Sequence, residues 1–188
     1  MIIKPAIRSN FFTNAHPLGM KSYIQNLINE VKTYEKFNGP KNVLILGGSS
    51  GYGLASRISL AFGSNSNTIN VSFERKAKSN QSGSAGFWNN IFFRQQTKDE
   101  NQIHMDFNGD AFSLEMKEKV LAYVKDTFGT IDLIIYSLAS GKRYNPEIDK
   151  EPYTQRFEIS LPEGKDVMVL DVLHLIRSQD ASLAIRRS

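Results

Sequence analysis

A glycine-rich segment in the first half of the chain has the residue types and spacing of an anion-binding loop. It reads Gly47-Gly48-Ser49-Ser50-Gly51-Tyr52-Gly53. Gly47 permits a tight turn, Gly51 lets the backbone approach phosphate oxygens, and Gly53 lets a following helix pack closely on a sheet. Ser49 and Ser50 add hydroxyl donors, and the first amides and the dipole of that helix favour negative charge. The segment predicts a site for the pyrophosphate of a dinucleotide, with a plain strand-to-helix turn as the alternative.

Glu74 is the next residue whose position predicts chemistry. It ends a predicted strand and lies about 20 residues beyond the glycine loop, where an acid accepts hydrogen bonds from the adenosine ribose hydroxyls of a dinucleotide. Because a carboxylate there repels the extra phosphate of NADP, the sequence predicts NAD as cofactor, with NADH preferred over NADPH. Arg75 and Lys76 follow directly and weaken that preference. The alternative is an ordinary solvated acid at the end of a strand.

Two further segments lie where a third and a fourth strand are predicted to end. Asp110-Ala111 is predicted to contact the edge of the adenine ring, with the Asp110 carboxylate accepting from the exocyclic amine. The alternative interpretation of this segment is a turn that leads into a helix. Leu138-Ala139 leaves the fourth strand at the carboxyl edge of the sheet, where backbone atoms can line the path of a dinucleotide. The order and spacing of these segments agree with one continuous cofactor site.

The elements that must position these residues alternate between strand and helix. Apolar or alternating runs predict parallel strands at Asn42–Leu46, Thr68–Phe73, Gln102–Phe107 and Ile131–Tyr136. Apolar residues at helical spacing predict helices at Lys21–Tyr34, from the glycine loop to Gly63, and after a capping Ser113.

The predicted fold class is α/β: a Rossmann-like, doubly wound parallel sheet that is incomplete, preceded by an irregular amino-terminal arm and a helix. The arm, Met1–Gly19, is expected to contain one short strand, and Phe87-Trp88 to begin a short helix or an insertion. Residues 1–140 are predicted to form a dinucleotide-binding domain. Residues 141–188 are predicted to be a divergent tail whose structure the pattern does not indicate.

Composition limits the other classes of function. The 188 residues suffice for one domain, and the net charge of +4 indicates weak attraction to anions such as nucleotides or coenzyme A. No run of lysines and arginines predicts nucleic-acid binding. The absence of cysteine excludes disulfides and thiolate metal sites and fits a cytoplasmic protein. The longest apolar run, Val167–Ile176, is too short and too interrupted to span a membrane, and no secretory signal is indicated.

The histidines do not predict a catalytic or metal site. His16, His104 and His174 are scattered, without acidic or serine partners at a catalytic spacing. The sequence therefore predicts no metal ligand and no catalytic residue, and it does not indicate the number of subunits.

Several literal segments resemble one known family, the long NADH-dependent trans-2-enoyl-acyl carrier protein and enoyl-CoA reductases, which are bacterial relatives of short-chain dehydrogenases. The segments are Met1–Pro5, His16-Pro17, Asn38–Lys41, Gly51–Ile58, Ala61–Gly63, Asn108–Ser113 and Tyr136–Ser140. The resemblance covers Met1 to about Ser140. It implies NAD contacts at Gly47–Tyr52, Phe73-Glu74, Asp110-Ala111 and Leu138-Ala139. It also implies a role in fatty acid synthesis, in which hydride passes from NADH to a trans-2-enoyl thioester of acyl carrier protein or coenzyme A.

The chain also departs from that family. Its members are about twice as long. Well beyond the fourth strand they carry a catalytic tyrosine and a catalytic lysine that are separated by eight residues. No such pair follows Ser140, because neither Tyr144 nor Tyr153 has a lysine at that spacing. Tyr23 and Lys32 have the spacing by coincidence, since they precede the nucleotide strand. The resemblance thus implies a truncated, inactive form that keeps part of the NAD site. The alternatives are a non-catalytic NAD-binding or interaction module that needs a partner chain, and a product that scarcely folds.

Overall fold

A computed structural model of the chain describes residues 7–8, 11–12, 14–79, 81–98, 101–138 and 178–179. The chain divides into two units, Met1–Ala139 and Ser140–Ser188. In the second unit the structure describes only Ser178 and Gln179, both helical. The predictions made for the tail at 141–188 otherwise lie outside the described residues.

Strands and helices alternate through the first unit, as the sequence predicts. The strands are β1 (Ile7–Arg8), β2 (Phe11–Phe12), β3 (Asn42–Leu46), β4 (Asn67–Ser72), β5 (His104–Asn108) and β6 (Leu133–Tyr136). The helices are α1 (Pro17–Val31), α2 (Gly51–Gly63), α3 (Ala85–Gln96) and α4 (Leu114–Thr127). Strands β1 and β2 pair with each other as a short antiparallel ribbon.

The four longer strands form a parallel sheet in the order β5-β4-β3-β6. The chain adds two strands on one side of β3 and then crosses to the other side with β6, so the strand order reverses between β3 and β6. In doubly wound folds a ligand binds outside the carboxyl ends of the strands at this reversal. The predicted Rossmann-like α/β fold class is confirmed, and the glycine loop lies at the reversal.

Helices cover both faces of the sheet. On one face Ile69 and Val71 of β4 and Phe107 of β5 pack against Val120 and Val124 of α4. On the other face α2 packs on β3 and β4. Burial on both sides explains why β3 is apolar without alternation.

Helix α1 forms an additional layer outside the sheet. It packs on α2 and α3, and Ile24, Ile28, Leu54, Ile58 and Phe93 share one buried cluster. Because the apolar face of α1 meets two helices at once, α1 is tied to the α/β fold.

Three local predictions need correction. Helix α1 begins at Pro17 rather than Lys21, because proline is well suited to the first turn of a helix, where no backbone donor is required. The amino-terminal arm contains two short strands instead of one. Helix α3 spans Ala85–Gln96 and is longer than predicted. The sequence did not indicate its full length, because Gly86 and Asn89 lie on its buried face and interrupt the helical spacing of apolar residues. Ser113 caps α4 as predicted, its hydroxyl accepting from the Met116 amide at 3.2 Å.

His104 on β5 makes the stability of the fold sensitive to pH. Burial and the nearby Arg57 guanidinium, partly opposed by Asp106, lower the pKa of His104 from 6.5 to about 4. Between these values the unfolded chain binds more protons than the folded chain, so the free energy of unfolding falls as pH falls from 6.5 towards 4. We expect a loss of about 2 kcal/mol between pH 6.5 and pH 5, measured by urea unfolding.

A His104→Gln variant provides the comparison, because its amide side chain does not titrate. The amide also keeps a hydrogen-bonding group near Thr68 Oγ1, which lies 2.9 Å from His104 Nδ1 in the native chain. The difference in free energy of unfolding between the native chain and the variant should shrink as pH falls through this window. A difference independent of pH would show that His104 is not the titrating group.

Candidate functional site

The glycine loop is held tightly between the ends of β4 and β6. Gly47 has φ +92°, and its amide donates to the Val71 carbonyl oxygen at 2.8 Å. A Cβ atom on Gly47 would lie 2.4 Å from the carbonyl oxygen of Ser137, and one on Gly53 would lie 2.2 Å from the carbonyl oxygen of Gly47. These contacts agree with the predicted roles of Gly47 in the turn and Gly53 in close packing of α2.

Gly51 faces open space where the loop becomes helix α2. It has φ +55°, and among the described residues a Cβ atom there would meet nothing within 4 Å. Ser50 occupies the N-cap without a side-chain bond to the helix, and the first amide to bond back is that of Leu54, to the Ser50 carbonyl oxygen at 3.2 Å. The amides of Gly51, Tyr52 and Gly53 therefore have no partner within the helix. Tyr52 is 90% exposed. This end of α2 is therefore open, as the predicted anion site requires.

Gly48 and Ser49 are bonded to the protein on the inner side of the loop. The Gly48 amide donates to Asn70 Oδ1 at 2.8 Å, and Asn89 Nδ2 donates to the Ser49 carbonyl oxygen at 2.9 Å. The buried Ser49 hydroxyl donates to Glu74 Oε1 at 2.5 Å. Ser49 was expected to direct its hydroxyl at a phosphate, whereas the structure directs it at Glu74.

Glu74 follows β4 and stands directly beside the loop. Its backbone amide donates to Asn108 Oδ1 at 2.7 Å, and Asn108 Nδ2 donates to its carbonyl oxygen at 3.0 Å. Its carboxylate accepts from Ser49 on one oxygen and from Ser84 on the other. The preceding Phe73 is 80% exposed. Glu74 is therefore joined to the loop by a direct hydrogen bond, and its contact with an adenosine ribose stays a prediction.

Asp110 and Ala111 lie in the turn that leads from β5 into α4. Asp110 Oδ1 accepts from the Phe112 amide at 2.9 Å, and its backbone oxygen accepts from the Ser113 hydroxyl at 2.8 Å. Ala111 packs against the core between the sheet and α4. The helix-entry turn that was the alternative for Asp110 is thus observed, and Asp110 remains exposed at the carboxyl edge of the sheet.

The segment after β6 lies against the first glycine of the loop. The Ser137 amide continues the strand pairing by donating to the Leu46 carbonyl oxygen at 2.8 Å. A Cβ atom on Gly47 would lie 3.2 Å from Leu138 Cδ2. Ala139, also predicted to line the site, lies outside the described residues. The structure therefore brings Gly47, Gly53, Ser137 and Leu138 together at the reversal of strand order.

A buried polar network behind the loop was missed at the sequence level. Asn70 Nδ2 donates to Asp106 Oδ1 at 2.9 Å, and Arg57 Nη1 pairs with the same oxygen at 2.6 Å. Asn90 accepts from Asn70 and from Arg57, and the guanidinium of the fully buried Arg57 lies 4.0 Å from the ring centre of Phe93. Through Asn70 this network reaches the Gly48 amide.

One signal could have revealed the network. Thr68, Asn70 and Ser72 alternate along β4 with Ile69 and Val71, so polar side chains fill one face of a strand that is buried on both faces. Buried polar groups require hydrogen-bond partners. That alternation predicts a polar layer between β4 and the covering helices, although it does not name the partners.

Two models of one protein family match the chain in succession. Residues 2–79 match the NAD(P)H binding domain of trans-2-enoyl-CoA reductase. Residues 81–156 match the trans-2-enoyl-CoA reductase catalytic region. The match extends past residue 140, where the resemblance read from the sequence ended.

Named relatives agree with these models. The chain is 49% identical over 148 residues to the trans-2-enoyl-CoA reductase [NADH] of Clostridium beijerinckii, covering 78% of this chain and 37% of the relative. It is 40% identical over 197 residues to the enoyl-[acyl-carrier-protein] reductase [NADH] of Serratia proteamaculans, covering 99% of this chain and 49% of the relative. The chain thus spans less than half the length of these two relatives.

A solved structure shows the same fold. The trans-2-enoyl-CoA reductase of Clostridium acetobutulicum in complex with NADH superimposes with a TM-score of 0.75 at 44% identity, covering 86% of this chain and 41% of that one. None of the helices in the described part of this chain is long and apolar enough to cross a membrane. By its two successive domain matches and its fold, the chain belongs, as an amino-terminal portion, to the family of NADH-dependent trans-2-enoyl-acyl carrier protein and enoyl-CoA reductases.

Proposed function

We propose that this chain binds NADH as the dinucleotide-binding portion of an enoyl-thioester reductase. The observation that carries the proposal is the open amino-terminal end of α2, with Glu74 hydrogen-bonded to Ser49 of the adjoining loop. The names of the relatives support NADH as the cofactor and an enoyl thioester of acyl carrier protein or coenzyme A as the substrate. The whole reaction adds a hydride from NADH at the β-carbon and a proton at the α-carbon, leaving NAD⁺ and the saturated thioester.

Each part of the proposed site has a separate task. The amides of Gly51–Gly53 and the Ser50 hydroxyl bind the pyrophosphate, because they are the donors at the open end of α2. Glu74 accepts from the adenosine ribose, and its charge disfavours NADPH. Phe73, Asp110 and Ala111 contact the adenosine end. Leu138 and Ala139 line the path towards the nicotinamide.

The 188 residues by themselves are proposed to have little or no turnover. No tyrosine followed after eight residues by lysine occurs beyond Ser140, and the family resemblance assigns proton delivery to such a pair. The second candidate is a non-catalytic NAD-binding module that pairs with another chain. It is favoured by β6, which lies at the edge of the sheet that the described residues form and where Ile134 is 62% exposed although the strand is apolar. A cytoplasmic location and the absence of a nucleic-acid partner remain predictions.

The test is a titration of the purified chain with NADH, followed by nicotinamide fluorescence. We expect saturable binding, and we expect Glu74→Ala to raise the Kd about tenfold, because it removes a charged hydrogen-bond acceptor. Glu118→Ala, which removes an exposed acid from α4, is the matched control and should leave the Kd unchanged. A folded chain without saturable NADH binding would contradict the proposal.

Turnover is measured separately, with a trans-2-enoyl-CoA and NADH. The proposal expects no NADH oxidation above background from the isolated chain. Enzyme-like rates would show that these residues contain a proton donor that the family pattern does not identify. Co-purification with a chain that restores turnover would favour the second candidate.

A further inference from the structure

We propose that Ser84 and Gly86, at the start of α3, set the preference for NADH over NADPH by fixing the carboxylate of Glu74. The inference rests on the proposed function and deepens it. Neither residue belongs to the predicted cofactor site, and neither is proposed to contact the cofactor. They act as positioning residues for the one acid that would face the adenosine ribose.

The carboxylate of Glu74 is held on both oxygens. Ser49 donates to Oε1 at 2.5 Å, and Ser84 donates to Oε2. Two donors on opposite oxygens fix the plane of the carboxylate as well as its position. The remaining lone pairs stay available to hydroxyl donors, because each carboxylate oxygen can accept more than one hydrogen bond.

Gly86 leaves the space that the carboxylate occupies. A Cβ atom at position 86 would lie 2.1 Å from Glu74 Oε1 and 2.4 Å from its Cδ. Ser84 is the N-cap of α3 and Gly86 is in its first turn, so the carboxylate stands at the positive end of the helix dipole. The beginning of α3 therefore supplies a donor, a favourable field and a fitted space for the same carboxylate.

The consequence for specificity follows from this rigidity. NADH presents ribose hydroxyls to Glu74, whereas NADPH presents an additional phosphate at the same place. A carboxylate that is fixed accepts from the hydroxyls without reorganising and cannot turn away from the phosphate. A carboxylate that is loosened or displaced loses both properties, so NADH binding weakens while the exclusion of NADPH relaxes.

Gly86→Ala is the sharpest test, because it moves Glu74 without altering the charge or composition of the site. The atoms that the new methyl group meets are the far end of a flexible side chain, so the carboxylate can shift while the backbone stays in place. Alanine also favours a helix more than glycine does. We expect a Tm close to the native value, because the gain in helix propensity offsets part of the cost of the hydrogen bonds that Glu74 loses. The Kd for NADH should rise about tenfold, and the Kd for NADPH should change less.

Ser84→Ala removes the donor to Glu74 Oε2. Like Gly86→Ala, it should raise the Kd for NADH more than the Kd for NADPH. Ser84→Thr keeps a hydroxyl at the N-cap and should restore the ratio. The matched control is Thr97→Ala at the opposite end of α3, which removes the hydroxyl that donates to the Phe93 carbonyl oxygen at 3.1 Å. That variant should lower the Tm and leave the ratio of NADPH to NADH affinity unchanged.

The outcomes separate this inference from the proposed function. If the native chain binds neither cofactor, the proposed function fails. If the native chain prefers NADH, and both Gly86→Ala and Ser84→Ala leave the ratio of the Kd values unchanged, the proposed function stands and the inference is overturned. Equal binding of both cofactors by the native chain would also overturn the inference.

Discussion

Gly53→Ala is expected to destroy the glycine loop and with it NADH binding. The new Cβ atom would lie 2.2 Å from the carbonyl oxygen of Gly47 and 3.1 Å from Ser137 Cβ. Because the nearest atom belongs to the backbone, α2 must move off the sheet and carry the amides of its first turn away from the anion site. We expect a loss of about 3 kcal/mol in the free energy of unfolding and an NADH Kd about a hundredfold higher.

Gly19→Ala is a closely matched control. Gly19 occupies the same position in the first turn of α1 as Gly53 does in α2. In the part of the chain that the structure describes, a Cβ atom there would meet only His16 Cβ, at 3.8 Å, which is an ordinary contact. This variant should fold at least as stably as the native chain and bind NADH equally well. Similar losses in both variants would mean that any side chain at this position of the first helical turn, and not the contact with Gly47, determines the result.

Asp106→Asn is expected to cause the largest loss of stability, about 3–5 kcal/mol, because it leaves the charge of Arg57 buried without a counter-charge. Arg57 is fully buried and its Nη1 lies 2.6 Å from Asp106 Oδ1. The new amide keeps an oxygen that can accept from Asn70 Nδ2, so the change isolates the loss of charge. Urea unfolding measures the loss.

The double variant Arg57→Met/Asp106→Asn tests the cause. Methionine removes the buried charge and places an apolar side chain next to Phe93, whose ring contacts the Arg57 guanidinium in the native chain. We expect the double variant to recover most of the stability that either single variant loses, since neutral groups replace the pair. Losses that simply add would show that the ion pair is not the source of the effect.

Sequence patterns predicted the parts of this fold that depend on neighbouring residues. The apolar run of β3, the glycine spacing and the capping Ser113 are local features, and each has its predicted structure. The sheet class followed from the alternation of strands and helices. The start of α1 was predicted less well, because a proline in the first turn extends the helix beyond its apolar period.

The tertiary structure decided which side chains meet. Ser49 and Glu74 were both predicted to belong to the site, but their hydrogen bond depends on the parallel pairing of β3 with β4. Ser84 and Gly86 reach the same carboxylate only because α3 begins beside the end of β4.

The amino-acid sequence by itself therefore determined the loop, the acid at a strand end and the order of strands and helices, since each is encoded by residue type over a few positions. Strand order and helix packing decided the rest. They brought Asn70, Asp106 and Arg57 behind the loop, and they placed the start of α3 against Glu74. Hydrogen bonds between residues far apart in the chain have no local period, and this is why only the folded chain reveals them.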